Sequence, residues 1–182
     1  MAFEKLRFYL QRIYRLSLSS QKQELLVWKD LKKLHQIAGW RSGIYEKDKT
    51  IETCFEFGND SSGIFDYVLH DGYLYLRVKL LEDFPTELTT DVFVLAAHIN
   101  NHVSNGVVVV DVYGKRVDYL RKREMLLPLL YIGDLFEQID SHYRTSKDIY
   151  LAFNRLIEEQ EAPAIIIADL LKNNSARNNA AD

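Results

Sequence analysis

Residues 63–80, GIFDYVLHDGYLYLRVKL, leave the chain little conformational choice. Apolar residues recur at every second position on both sides of Asp71-Gly72, which is the period of a half-buried strand. An Asp-Gly pair accepts the two left-handed conformations of a two-residue hairpin turn, so the two runs fold back on each other. The turn sets the register: Leu69 pairs with Leu74, Tyr67 with Leu76 and Phe65 with Val78, while Asp66 falls opposite Arg77 on the other face. A hairpin with one apolar face needs a sheet around it and helices to cover that face.

The flanking sequence supplies both. In TIETCFEFG, Ile51, Thr53, Phe55 and Phe57 alternate with Glu52, Cys54 and Glu56, a third strand with one wet face. Pro85 suits the first turn of a helix reaching about Asn105, with Leu88, Val92, Leu95, Ala96, Ile99 and Val103 on its buried side and Gly106 as its stop. A second hairpin follows over 107–123, and a bulged turn at Gly114 pairs Asp111 with Lys115, Val109 with Val117 and Val107 with Tyr119. Upstream, a helix begins at Ser20 with Ser20 and Gln23 in capping-box spacing, carries the stripe Val27, Leu31, Leu34, Ala38 and stops at Gly39. Downstream, Ile149, Ala152, Phe153, Leu156 and Ile157 mark a further helix that Pro163 ends.

The expected fold is therefore α+β, a mixed or antiparallel sheet in helix-βββ-helix-ββ-helix order. The expected organisation is an N-terminal amphipathic helix over 1–18, one α/β domain over 20–160, a short C-terminal helix over 161–172 and a mobile tail over 173–182.

Composition narrows function. A charged fraction of 27% and a net charge of −3 suggest neither disorder nor bulk attraction to nucleic acid. No run of about 18 apolar residues is present, so no transmembrane segment is expected. The first sixteen residues break their apolar positions with charge, unlike a secretory signal, and the single cysteine, Cys54, excludes an internal disulfide; a cytoplasmic protein is expected.

Three features could carry chemistry. Gly106 and Gly114-Lys115 look like a phosphate loop, but seven strand-like residues separate the glycines and Arg116 stands where a Walker motif needs a hydroxyl. His98 and His102 have the four-residue spacing of two metal ligands on a helix; no glutamate follows His98, and neither Asp91 nor His70 has the spacing of a third ligand. Cys54 lies on the polar face between Glu52 and Glu56, a setting that is not expected to activate a thiol. No catalytic residue, cofactor site or metal site is expected, and a metal-dependent enzyme using His98 and His102 is the alternative reading.

AHINNHVSNGVVVVDVYGKRVDY, residues 97–119, resembles the corresponding unit of the YbjN family of proposed bacterial sensory-transduction regulators. The matching residues are Ile99-Asn100, Asp111, Gly114 and Tyr119, within a likeness covering about 20–160. The resemblance implies a type III secretion chaperone-like fold of compact proteins that dimerise and bind partner polypeptides, with no catalytic residue. This chain departs in its extra N-terminal helix and extended C-terminal end.

That extra helix holds the candidate protein-binding residues Phe3, Leu6, Leu10, Ile13 and Tyr14 at helical spacing. An isolated helix of this length is marginal in water, so it must pack on its own domain, a second copy or a partner. Lys5, Arg7, Arg12 and Arg15 surround the stripe, which leaves a nucleic-acid or membrane-surface binder as a further alternative. In the next helix Lys22, Lys29, Lys32 and Lys33 are interleaved with Glu24 and Asp30, the pattern of a solvated face. The expected function is a non-enzymatic protein-binding module, chaperone-like or regulatory, with a protein partner or a homodimer.

Overall fold

The computed structural model describes residues 2–58, 61–125 and 131–179, with side chains for all of these but 2–5, 7, 8 and 173–179. Helices α1 (Ala2–Leu16) and α2 (Ser20–Ala38) precede strands β1 (Ser42–Tyr45), β2 (Thr50–Gly58), β3 (Ser61–His70) and β4 (Tyr73–Leu81). Helix α3 (Thr89–His102), strands β5 (Val107–Asp111) and β6 (Arg116–Glu124), and helices α4 (Ile132–Glu158) and α5 (Pro163–Asn179) follow. The sheet is antiparallel, in the order β1-β2-β3-β4-β6-β5. The α+β class and the alternation of β2 to β4 are as the sequence dictates, but β1 is an additional strand, because four residues are too few to show a period.

The chain groups into two compact units, each assembled from three segments. The first comprises Met1–Phe55, Ile64–Arg77 and Lys122–Tyr143. Here Asp71 (φ 48°) and Gly72 (φ 79°) take the two left-handed conformations of the hairpin turn. Arg77 Nε donates to Asp66 Oδ2 at 2.9 Å, the cross-strand pair that this turn demands. The core is aromatic. Phe65 meets Phe55 edge-on with centroids 5.0 Å apart, His35 of α2 meets Tyr67, and His142 and Tyr143 of α4 lie against Phe65.

The capping box expected at Ser20 does not form. Ser19 occupies the N-cap without a side-chain bond, and Gln23 Nε2 turns the other way, donating to the carbonyls of Arg15 (3.2 Å) and Leu16 (3.3 Å). Those carbonyls end α1 and have no partner within their own helix, so a nearby amide donor serves them first. Gly39 stops α2 in the left-handed conformation, as expected.

The second unit comprises Glu56–Gly63, Val78–Arg121 and Arg144–Asp182. Its first helix is shorter than the sequence suggests. A 3-10 turn occupies Thr86–Leu88, and α3 ends at His102 with Val103 extended as its cap. Gly106 is therefore not a helix stop; a Cβ there would lie 2.5 Å from Tyr119 Oη, so glycine is required by close approach to a buried ring. The β5–β6 register is shifted by one residue from expectation, with Asp111 opposite Arg116, Val110 opposite Val117 and Val108 opposite Tyr119. The left-handed residue is Lys115 (φ 48°), not Gly114, which lengthens the loop and turns Val108 inward while Val107 and Val109 face solvent.

Helix α4 begins at Ile132, well before the stripe legible from Ile149 onward. Pro163 opens α5, which continues to Asn179 beyond the expected end at 172. Arg155 ties the two helices together, with Nε donating to Glu161 Oε2 at 2.6 Å and Nη2 to Asp169 Oδ2 at 2.9 Å.

Candidate functional site

The face of α1 that a soluble helix would ordinarily bury is the one exposed. Leu6, Tyr9, Leu10, Ile13, Tyr14 and Leu16 are 39–64% exposed, and they lie on one side of the helix. The expected stripe is thus one surface at Leu6, Leu10, Ile13 and Tyr14; the side chain of Phe3 lies outside those described. Tyr9 and Leu16 enlarge the surface, and the same helical period could have found them in the sequence.

Polar chemistry on the opposite side explains this inversion. Arg15 Nη1 donates to Asp30 Oδ2 of α2 at 2.7 Å, and the guanidiniums of Arg15 and Arg12 sit 5.1 and 5.8 Å from the centre of the Tyr131 ring. Burial raises the Tyr131 phenol pKa, and the two arginines draw it partly back; burial likewise raises the Asp134 carboxyl against the pull of Arg12. Gln23 closes the C-terminal end, as above. Among the described residues, an ion pair, cation–π contacts and a cap hold the helix, while Leu6, Leu10, Ile13 and Tyr14 are exposed.

The remaining candidates stay dispersed. His98 and His102 lie one turn apart on exposed positions of α3. Among the described residues no group of three or more His, Cys, Asp or Glu side chains could hold a metal ion. Cys54 is a free, exposed thiol on β2. A cleft of about 190 Å³ is lined by Ser20, Gln23, Asp71, Gly72, Tyr73, Glu124 and Met125. That volume is below the range of about 300–1,000 Å³ typical of small-molecule sites. Among the described residues no helix is long and apolar enough to cross a membrane.

The residues that carried the family resemblance are structural. Asn100 Nδ2 donates to the Val108 carbonyl at 2.9 Å while its Oδ1 accepts from the Val108 amide at 2.7 Å. Asp111 Oδ1 accepts from the Gly114 amide at 2.9 Å, and Ile99 and Tyr119 are buried. Together they secure a helix-to-hairpin unit, so a likeness through them is a likeness of fold.

The crystal structure of YbjN from E. coli, a proposed transcription regulator, matches with a TM-score of 0.52 over 68% of this chain and 88% of that one. The fold is YbjN-like. At 10% sequence identity the likeness concerns the fold alone. No family model and no curated protein matches the chain.

Proposed function

We propose that this chain is a non-enzymatic protein-binding module, chaperone-like or regulatory, acting in the cytoplasm through the outer face of α1. The observation that carries the reading is the inverted docking of α1, polar side in and apolar side out. An exposed apolar patch of this extent on a soluble domain marks a contact surface. The YbjN-like fold is compatible with a regulatory or binding role, since the matching structure is itself of a proposed regulator. Arg12 and Arg15 face Asp30 and Tyr131, which weakens the reading of α1 as a basic stripe for nucleic acid. Exposed His98 and His102 without a third neighbouring ligand among the described residues give no support to a metal enzyme.

The double variant Leu6→Asp, Leu10→Asp tests the reading. It is expected to keep the parent's helicity and thermal midpoint, because neither side chain is buried, and to lose the polypeptide contacts that the parent makes. Unchanged capture of the same polypeptides by parent and variant overturns the proposal.

A further inference from the structure

We propose that the cleft beside the β3–β4 turn binds an arginine side chain of a partner polypeptide. The cleft is separate from the outer face of α1, and all of its lining residues belong to the first compact unit.

Size sets the first limit. The cleft's 190 Å³ or so is far more than the ~10–15 Å³ that one water requires, and too little for a drug-sized molecule. The end of one long side chain is a ligand of that scale.

The lining decides which side chain. Gln23 is only 8% exposed, and its Nε2 is spent on the carbonyls of Arg15 and Leu16. Its Oε1 has no hydrogen-bond partner among the described residues, so the lining holds a buried acceptor left unsatisfied. The Gly72 carbonyl accepts from the Met125 amide at 3.0 Å and keeps a second lone pair. Asp71 Oδ2 has His70 Nε2 at 3.2 Å, which leaves Oδ1 open. Glu124 is exposed and has no cationic partner among the described residues. Two carboxylates, a carboxamide oxygen and a peptide carbonyl only accept, so they match a ligand that only donates. An ammonium brings three donors and a guanidinium five in a planar fork, so these separate acceptors favour the guanidinium.

Charge agrees. The amino end of α2 at Ser20 carries about half a positive charge, and Lys122 Nζ lies 3.6 Å from the centre of the Tyr73 ring. Asp71 and Glu124 together outweigh both. The Lys122 contact also shows that the Tyr73 ring accepts a cation. Exposed ion pairs are individually weak, so a lone cation would be poorly held. A polypeptide adds contacts along the exposed rim at Ser20, Asp71 and Glu124.

The probe is a short peptide of glycines around one arginine, titrated into the full-length protein while the amide resonances of Gly72, Tyr73 and Met125 are followed. It is expected to shift them saturably and to bind more tightly than methylguanidinium. The same peptide carrying citrulline, neutral and nearly isosteric, is expected to leave them in place. Asp71→Asn and Glu124→Gln are each expected to weaken binding about fivefold, the upper range for an exposed ion pair, with parental thermal midpoints. Asparagine tolerates the left-handed φ of 48° at position 71, so the turn is kept. The Leu6→Asp, Leu10→Asp variant is expected to bind the peptide as the parent does, which tests this site apart from the face of α1.

An arginine peptide that shifts none of these amides overturns the inference. Equal binding of the citrulline peptide does so too, as does parental affinity in an Asp71→Asn, Glu124→Gln double variant. A peptide that binds no more tightly than methylguanidinium overturns the assignment to a polypeptide.

Discussion

A histidine whose Nδ1 lies 2.7 Å from Ser42 Oγ, with Trp40 and Tyr67 edge-on at 5.0 and 5.5 Å, has little water to stabilise a positive charge. Burial lowers the pKa of His35 from 6.5 to about 4. The unfolded chain thus takes up this proton at higher pH than the folded one. The stability that neutral His35 contributes is complete above pH 6.5 and is lost as pH falls from 6.5 toward 4. Urea midpoints measured between pH 7 and 5 should fall more steeply for the parent than for His35→Gln, which retains the other four histidines. Parallel slopes would refute the assignment. His35 was not legible as a core residue from α2's stripe of Val27, Leu31, Leu34 and Ala38. Likewise His142 and Ser146 hold fully buried positions between Ile139 and Ile149 in α4. Polar residues at core positions break the hydrophobic period, which is why the first half of that helix escaped sequence reasoning.

At the scale of elements, α3 and β5 are joined by a single carboxamide acting as donor and acceptor to one residue. Both backbone groups of Val108 point away from β6 toward Asn100, and that choice belongs with the observed register, in which Val108 opposes Tyr119. The register expected from turn chemistry differed by one residue because it assigned the left-handed conformation to glycine. Tertiary contacts place it at Lys115, whose carbonyl accepts from the Phe84 amide at 3.2 Å. Asn100→Ala removes both bonds to Val108 and leaves a part-buried amide and carbonyl unpaired; a loss of about 2 kcal/mol is expected. Urea unfolding of the purified variant measures it, and a loss below about 0.5 kcal/mol, within the range of a neutral surface change, would show that the carboxamide is dispensable.

Over the whole molecule, each compact unit draws on three separate segments, and the boundaries between units fall inside β2, β3, β4, β6 and α4. Opening one unit alone would break strands midway and orphan their backbone groups, which is costly. Unfolding is therefore expected to be a single transition, with the fluorescence of Trp28 and Trp40, both in the first unit, coinciding with far-ultraviolet circular dichroism from the entire chain. Separate midpoints would show that the units open independently. The central strands and their turn were determined by the sequence itself, because Asp71-Gly72 and a two-residue period act within a few residues and need no distant partner. The stripe on α1 was equally local, as periodicity decides which side chains share a helix face. Which face turns inward was a tertiary decision: Asp30 and Tyr131 lie far along the chain from Arg12 and Arg15, and only folding brings those opposite charges and that aromatic ring within reach.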